Sequence, residues 1–212
     1  MIPTGLLILG FGGHARSVAD VALRTGIASL IFFDERGLPN ERFAGFPVTN
    51  ERPSALGDGW FAMPALGDNL RRQQQMIDTL SSDWKIATLV SPLAYIGVDA
   101  TIGTGTIVAH GAHVGPLALI GEGCIINTTA VVEHECCIGE YSHISVSAAI
   151  AGRCTLGRRV FIGAGAVVID GIQIADDVTV GAGSVVVDHI VEPGTYAGTP
   201  ARAVKTRSAS LR

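Results

Sequence analysis

The chain has 212 residues, of which 27 are glycine, 6% are aromatic and 16% are charged. Soluble proteins average roughly 7% glycine and roughly 25% charged residues, so this chain is rich in glycine and poor in charge. Its formal net charge of -4, without a long basic or acidic block, gives no reason to expect nucleic acid or an anionic membrane as a partner. Glycine, threonine or a charge interrupts every apolar stretch before the roughly 18 residues of a membrane span, so no membrane insertion is expected.

The start of the chain and its cysteines predict a cytoplasmic protein with free thiols. The opening stretch MIPTGLLILGFGG has no basic segment and leads directly into a glycine turn, which indicates a buried first strand and not a signal peptide. Without a secretion signal, the four cysteines are expected to be reduced.

Residues 5–85 predict an abbreviated α/β unit. Strands are predicted at 5–10, 29–35 and 60–68, and helices within 10–26 and at 69–82. The turn Gly10-Phe-Gly-Gly-His-Ala15 fits the loose G-x-G-x-x-A dinucleotide pattern, and its glycines let a phosphate approach a helix N-terminus. The unit is too short for two mononucleotide halves, which favours a mononucleotide ligand over NAD.

Polar residues follow the second and third predicted strands. Asp34 and Glu35 follow the second strand, and Gly67-Asp68-Asn69 follows the third. Open α/β sheets bind ligands at the carboxyl ends of their strands, so both groups are candidates for a ligand site. A solvated acid pair and a simple helix cap are the respective alternatives.

A six-residue repeat occupies most of the chain after residue 88. Aliphatic residues, called anchors below, recur at sixteen consecutive sixth positions: Ile96, Ile102, Val108, Val114, Ile120, Ile126, Val132, Ile138, Ile144, Ile150, Leu156, Ile162, Val168, Ile174, Val180 and Val186. The residue two before each anchor is always small or β-branched, and glycine follows the anchor in eight hexads, where a side chain would clash or φ must be positive. This period is typical of a parallel β-helix with three hexads to a coil of about eighteen residues, so about five coils are predicted.

The distribution of aromatic residues places a domain boundary near residue 88, because eight of the twelve lie in residues 1–90. Within the β-helix, Cys124, Cys136 and Cys154 occupy the small inward position, where a free thiol packs as a small hydrophobe. Cys137 is off this register and is expected to be exposed.

Two histidines of the repeat are candidates for chemistry. His134 precedes Glu135, and a carboxylate beside a histidine fixes the tautomer and raises the basicity of the imidazole. His134 lies two residues after the anchor Val132, and His143 lies one residue before the anchor Ile144. Both side chains are therefore expected to point off the wall of the triangular prism that the coils form. Nine residues are half a coil, so the two imidazoles would converge only across an interface with a second chain. An inert exposed histidine is the alternative.

From residue 3 to 205 the chain resembles the bacterial nucleotide-sugar N-acetyltransferases of the left-handed β-helix superfamily. These enzymes acetylate the 4-amino group of a 4,6-dideoxy sugar with acetyl-CoA, and the sialic acid O-acetyltransferases of the same branch are also similar. The resemblance rests on the segments Gly10-Phe-Gly-Gly-His-Ala-Arg16, Phe33-Asp34-Glu35, Ala65-Leu-Gly-Asp-Asn69, residues 126–145 and Val191-Glu-Pro-Gly-Thr-Tyr-Ala-Gly-Thr-Pro-Ala-Arg202. It implies a Rossmann-like nucleotide-sugar-binding domain at 1–88 and a left-handed β-helix acetyltransferase domain with a C-terminal tail at 89–212.

The resemblance also implies roles for individual residues. His134 matches the general base and Glu135 its orienting carboxylate. The acetyl-CoA site is matched by His143, Asn127, Ala164 and Ala182, the two alanines through their main chain. The nucleotide-sugar site is matched by Gly12, Gly13, His14, Asp34, Glu35 and Gly67. The family often has two aspartates where this chain has Asp34-Glu35, which leaves open whether uracil, guanine or thymine is read.

The implied enzyme is a homotrimer with three active sites at its interfaces, acetyl-CoA as co-substrate and no metal. Direct attack is expected, since no serine or cysteine lies in a nucleophile motif. Three alternatives stand: sugar O-acetylation, a carbonic-anhydrase-like metalloenzyme, whose close histidine pair is missing here, and a non-enzymatic nucleotide-sugar-binding module. The basic end of the chain, with Arg202, Lys205, Arg207 and Arg212, meets the CoA phosphates or is a solvated terminus.

Overall fold

The computed structural model describes residues 3–204, so Lys205, Arg207 and Arg212 of the basic tail lie outside the described residues. Two helices and 24 strands occur within them. In chain order they are β1 Gly5–Leu9, α1 Gly13–Arg24, β2 Ser29–Phe33, β3 Arg42–Phe43, β4 Phe46–Thr49, β5 Trp60–Pro64, α2 Asn69–Leu80, β6 Leu89–Val90, β7 Tyr95–Ile96, β8 Thr101–Ile102, β9 Ile107–Val108, β10 His113–Val114, β11 Leu119–Ile120, β12 Ile125–Ile126, β13 Val131–Val132, β14 Cys137–Ile138, β15 His143–Ile144, β16 Ala149–Ile150, β17 Thr155–Leu156, β18 Phe161–Ile162, β19 Val167–Val168, β20 Gln173–Ile174, β21 Val178–Val180, β22 Val185–Val186, β23 Gly194–Ala197 and β24 Arg202–Ala203.

The N-terminal unit is a five-stranded sheet in the order β3-β4-β2-β1-β5. Strand β1 lies parallel to both β2 and β5, and its five residues are all buried. Helix α1 covers one face of the sheet with Ala15, Val18, Ala19 and Ala22, the spacing of one helical face. The predicted α/β unit is therefore present, but β3 and β4 were missed, since each is short and half exposed.

Strand β2 is shorter than predicted because Asp34 turns the chain. The Asp34 carboxylate oxygen Oδ1 accepts a hydrogen bond from the Arg36 amide at 3.0 Å, and its carbonyl accepts one from the Gly37 amide at 2.7 Å. A side chain that bonds the backbone two residues on favours a turn over a strand. Asp34 and Glu35 therefore lie beyond the strand, at the carboxyl edge of the sheet.

The hexads form a parallel β-helix, as predicted. The sixteen strands β7 to β22 each contain one anchor, and strands eighteen residues apart are paired, as in His143 of β15 with Ile125 of β12. Three sheets result, with six, five and eight strands, and the last also contains β6, β23 and β24. Anchors and the small residues two before them fill one continuous core, which includes Cys124, Cys136 and Cys154. Cys137 is half-buried on β14, not fully exposed as expected.

Glycine after an anchor is required by close packing between coils, not by a positive φ. A Cβ on Gly139 would lie 2.5 Å from the Gly157 carbonyl carbon of the next coil. Positive φ occurs two residues later in the turn, at glycines such as Gly123 and at several other residues, including Glu135 with φ 59°. Of the two reasons predicted for these glycines, the clash is the one that applies.

Three corners connect the sheets of the β-helix. The first corner follows strands of the eight-stranded sheet, the second follows those of the six-stranded sheet, and the third follows those of the five-stranded sheet. In the central coils these corners contain residues 127–129, 145–147 and 163–165 for the first, 133–135, 151–153 and 169–171 for the second, and 121–123, 139–141 and 157–159 for the third.

The N-terminal unit packs directly on the β-helix. The Ala87 amide bonds to Ala62 of β5, and the Leu89 amide already bonds to Thr106 of the first coil. Ile107 and Ile125, which project from the eight-stranded sheet, share a buried cluster with the side chains of α1. This packing brings the carboxyl edge of the N-terminal sheet next to the middle coils of the β-helix.

Candidate active site

An open cleft of about 710 Å³ lies at the carboxyl edge of β1, β2 and β5. Gly12, Asp34 and Glu35, three of the predicted substrate residues, line it. The Asp34 carboxylate is already engaged, since Oδ2 accepts from the Phe11 amide and Oδ1 from the Arg36 amide, both at 3.0 Å. Glu35 is exposed beside it. Asp34 therefore shapes the glycine turn, and Glu35 presents the available carboxylate.

The glycines of the predicted site border open space. A Cβ built on Gly12, Gly13 or Gly67 would meet nothing within 4 Å among the described residues. Gly12 is also the N-cap of α1, so no side chain caps the first turn of that helix. Uncapped amides at a helix N-terminus favour an anion.

The junction between the two units contains His14, Gly67, Asn127 and His143. The His143 side chain leaves the prism wall as expected, but the N-terminal unit covers it, and it is only 7% exposed. Its Nδ1 lies 3.3 Å from the Gly67 carbonyl, and its Nε2 lies 3.1 Å from Nδ2 of Asn127. A carbonyl only accepts hydrogen bonds, so Nδ1 carries the proton and Nε2 accepts from Asn127.

Both junction histidines are neutral. Burial, with the charge of Arg72 and the nearby His14, lowers the pKa of His143 from 6.5 to about 3. Burial and Arg72 lower the pKa of His14 to about 4. The two rings lie 6.2 Å apart, and Nε2 of His14 is buried with no hydrogen-bond partner among the described residues. A buried unpaired polar atom in a junction marks a position where a ligand group is expected.

These shifted pKa values predict that acid destabilises the protein. Unfolding returns both imidazoles to pKa values near 6.5, so unfolding takes up protons below that pH and the stability present above it is lost as pH falls toward 4. We expect the free energy of unfolding, measured with urea at fixed protein concentration, to fall between pH 6.5 and 4.5. The fall will be shallower in His143→Asn. The exposed His189→Asn is the control, and equal slopes in all three proteins would contradict the prediction.

Arg72 of α2 is a buried cation at the same junction. It is 1% exposed and has no carboxylate within 4.0 Å in residues 3–204. Its guanidinium donates to the carbonyls of Gly123 and Tyr141 on the third corner, each at 2.6 Å, and to the Gly67 carbonyl at 3.2 Å. Arg72 therefore ties α2 to the β-helix and shares the Gly67 carbonyl with His143. Sequence reasoning missed it, because an arginine on an amphipathic helix ordinarily predicts a solvated position.

His134 and Glu135 lie at the second corner of the β-helix. The His134 Nδ1 is 2.9 Å from Oε2 of Glu135, and the two side chains are 43% and 51% exposed. The carboxylate accepts from Nδ1–H, which leaves the Nε2 lone pair directed away from Glu135. This arrangement matches a base poised to take a proton.

Gly152, one coil after His134, provides the space for its imidazole. A Cβ on Gly152 would lie 2.5 Å from Cε1 and 2.6 Å from Nε2 of His134. The sequence contains no signal for this contact other than the spacing of eighteen residues.

Gly152→Ala is expected to displace His134 and to lower kcat by at least about tenfold, since a misplaced catalytic group loses proximity and orientation. The backbone is not strained, because φ at this glycine is not positive and the contacting atoms belong to an exposed side chain. Steady-state kinetics measures the effect. Gly57→Ala, at an exposed glycine of the N-terminal unit whose φ is not positive and whose added Cβ meets only Trp60 at 3.5 Å, controls for glycine replacement. Unchanged kcat in well-folded Gly152→Ala would contradict the contact.

Asn127, Ala164 and Ala182 all lie along the first corner. Ala164 and Ala182 are exposed and adjacent in successive coils, since the Gly183 amide donates to the Ala164 carbonyl at 2.9 Å. Asn127 is two coils before Ala164 and reaches His143. The corner therefore forms a surface of small residues that leads to the junction.

Within one protomer, the candidate residues around His143 and those around His134 lie far from each other. His143 is on the eight-stranded sheet, whereas His134 is at the second corner, which joins the other two sheets. That sheet and that corner lie on opposite sides of a triangular prism. The described residues contain no cluster of three or more His, Cys, Asp or Glu side chains suited to a metal ion. No helix in that part of the chain is long and apolar enough to span a membrane.

Comparisons with known proteins agree with this architecture. Residues 5–78 match the family model of the PglD N-terminal domain, and residues 153–188 match that of the bacterial transferase hexapeptide, six repeats. The acetyltransferase domain of PglB from Neisseria gonorrhoeae is 31% identical, with a TM-score of 0.88, and the match covers 95% of this chain and 100% of that one. Its complex with acetyl coenzyme A matches at 30% identity, a TM-score of 0.87 and the same coverage.

PerB from Caulobacter crescentus, in complex with CoA and GDP-perosamine, is 30% identical, with a TM-score of 0.84, and the match covers 95% of this chain and 97% of that one. No curated protein matches significantly. The fold and the site together define a β-helical acyltransferase with an α/β unit at its N-terminus. The chain belongs to the nucleotide-sugar N-acetyltransferases of the left-handed β-helix, hexapeptide-repeat superfamily. The predictions of this fold, this family and an N-acetyltransferase are confirmed.

Proposed function

We propose that this enzyme transfers the acetyl group of acetyl-CoA to the 4-amino group of a nucleotide-linked 4-amino-4,6-dideoxy sugar, with His134 as general base. The observation that carries the proposal is the His134–Glu135 pair, whose 2.9 Å contact engages Nδ1 and leaves Nε2 of a half-exposed imidazole without a hydrogen-bond partner in residues 3–204. The solved relatives support it, since PglB is complexed with acetyl coenzyme A and PerB with CoA and GDP-perosamine.

The residues of this chain supply the proton transfers. Acetyl-CoA contributes the thioester carbonyl that the sugar amine attacks. His134 Nε2 takes the proton that the amine must lose as the C–N bond forms, while Glu135 stabilises the resulting imidazolium. The same imidazolium returns a proton to the departing CoA sulfur, so His134 ends the cycle neutral. No covalent acyl-enzyme is needed.

The co-substrate site is assigned to the first corner and the junction. His143 and Asn127 lie where that corner meets the N-terminal unit, and Ala164 and Ala182 continue it with small exposed residues. Neutral His143 has no charge to repel or attract the thioester, and its fixed tautomer orients the group that it contacts. The nucleotide-sugar site is assigned to the cleft, which Gly12 and Glu35 line while Asp34 holds the glycine turn, and to Gly13, His14 and Gly67 next to it.

A trimer completes the site in this proposal, because His134 and His143 of one protomer lie on opposite sides of the prism. The second corner and the sheet beside it carry exposed apolar side chains on both sides of His134, among them Val98, Leu117, Leu119 and Ile169. Exposed apolar patches of this kind mark interfaces. His134 of one copy would then face the junction of its neighbour. Full activity in a monomer would contradict this.

The experiment is an acetyl-CoA assay with UDP-, GDP- and dTDP-linked 4-amino-4,6-dideoxy sugars. Release of free thiol together with an acetylated product identified by mass spectrometry is the expected result for one of the three nucleotides. The matching sugars with a 4-hydroxyl group are the control. Acetylation of the hydroxyl sugars alone would show an O-acetyltransferase, and no turnover with any of them would overturn the proposal.

A further inference from the structure

Three arginines with no assigned role, Arg16, Arg36 and Arg71, line the cleft of the N-terminal unit. Arg16 is near the start of α1 and Arg71 is in the first turn of α2, and both border the cleft. In residues 3–204 neither guanidinium has a carboxylate within 4.0 Å or a hydrogen bond to protein. Arg16 instead stacks 4.8 Å above the ring of Phe11, which also lines the cleft. Arg36 follows Glu35 and is likewise unpaired in residues 3–204, so three unpaired guanidinium groups share one concave surface, two of them near the starts of α1 and α2.

The backbone at the start of α1, a few residues before Arg16, is also suited to an anion. Gly12 and Gly13 border open space, and α1 begins at Gly12 without a side-chain cap. Neither helix has an acidic residue in its first turn. The N-terminus of α2 differs, because Asp68 caps it by accepting the Arg71 amide at 2.8 Å. Free main-chain amides are therefore at α1, and Arg71 adds its charge from α2.

The lining that follows β2 contains three acids, Asp34, Glu35 and Glu41, besides Arg36. Asp34 is engaged by the Phe11 and Arg36 amides, and Glu41 accepts the Leu38 amide at 3.1 Å, so Glu35 is the acid of the cleft without a hydrogen bond among the described residues. A carboxylate accepts hydrogen bonds from a base N–H or a ribose hydroxyl, whereas guanidinium groups bind phosphate oxygens. The cleft therefore contains groups suited to each part of a nucleotide.

We propose that Arg16 and Arg71 bind the diphosphate of the nucleotide-sugar substrate and set its direction, with the nucleoside toward Glu35 and the sugar toward the junction. Leu66 lines the same cleft as Arg71, and the next residue, Gly67, contacts His143. The sugar therefore leaves Arg71 next to the junction histidines. This inference rests on the proposed function, since it assigns residues to the substrate named there.

The test is binding of nucleoside diphosphates and monophosphates to the full-length protein, measured by calorimetry without acetyl-CoA. UDP, GDP and dTDP are compared with UMP, GMP and dTMP for wild type, Arg16→Gln, Arg71→Gln and the double variant. We expect each single variant to weaken binding of the preferred diphosphate by about tenfold and the double variant by about a hundredfold, which is the scale of a charge-assisted hydrogen bond. Monophosphate binding will change less, so the preference for the diphosphate shrinks in the double variant.

Arg24→Gln is the matched control, because Arg24 is an exposed arginine in the last turn of α1, away from the cleft. The KM for the sugar nucleotide is expected to rise in the cleft variants while the KM for acetyl-CoA stays constant. A rise in the KM for acetyl-CoA alone would assign these arginines to CoA and overturn the inference. Unchanged diphosphate affinity in a double variant that still acetylates the sugar would overturn it while leaving the proposed function intact. Loss of turnover with every sugar in wild type would instead contradict the proposed function.

Discussion

His134→Ala is expected to lower kcat by about 10²–10⁴-fold, the usual contribution of a positioned general base. The imidazole is 43% exposed at a corner and contacts Glu135, so its removal leaves no cavity in the β-helix core. We therefore expect the thermal transition and the binding of both substrates to remain near those of wild type. Thiol release at saturating concentrations of both substrates measures the loss.

Two further variants separate the role of His134 from a general effect on the surface. His189→Ala removes an exposed histidine from a later turn of the same corner and is expected to keep wild-type turnover. Glu135→Gln keeps the size of the side chain but removes the charge that stabilises the imidazolium, so an intermediate loss in kcat is expected. Turnover close to wild type in well-folded His134→Ala would remove it from the mechanism.

Arg72→Met is expected to have the largest effect on stability, lowering the free energy of unfolding by about 3 kcal/mol or more. The guanidinium is 1% exposed, and its loss would leave several carbonyls at the junction without a donor, each at a cost of about 1–3 kcal/mol. Arg72→Lys should recover only part of this stability, because a single ammonium does not reproduce the planar fork that reaches several carbonyls. Urea unfolding measures both.

The neighbouring Arg71→Met is the control for that experiment, since Arg71 is exposed on the same turn and a change within about 0.5 kcal/mol is expected. Arg72→Lys also tests whether the junction matters for activity. The Gly67 carbonyl accepts hydrogen bonds from both Arg72 and His143. If Arg72→Lys displaces this carbonyl, His143 loses its partner, and the KM for acetyl-CoA is expected to rise. Equal stability of Arg72→Met and Arg71→Met would show that Arg72 does not stabilise the packing of the N-terminal unit on the β-helix.

The β-helix was predictable from sequence because its determinants are local. Each anchor fills the same inward position, such as Ile126 above Ile144, so a six-residue period read along the chain translates directly into stacked strands. The His134–Glu135 pair was equally accessible, since adjacent residues in one turn need no long-range packing to meet. The short strands β3 and β4 were missed because two to four half-exposed residues produce no recognisable period.

The surroundings of the candidate site depend on contacts between distant parts of the chain. His143 was expected to point off the prism wall, but nothing in the hexad indicates that the N-terminal unit covers it. In the sequence, nothing distinguishes Arg16 and Arg71 from other surface arginines. They line the same cleft only because α1 and α2 begin at the same edge of the sheet.

The sequence by itself therefore determined the β-helix, the α/β unit before it and the family, because a strict repeat and contiguous motifs encode them within short stretches of chain. Only the tertiary structure decided which polar side chains are buried and which face a cleft. Arg72 lies under a corner about 50 to 70 residues further along the chain, at Gly123 and Tyr141. Its environment follows from how α2 packs on the β-helix, and desolvation depends on that packing, not on the neighbours of a residue in sequence.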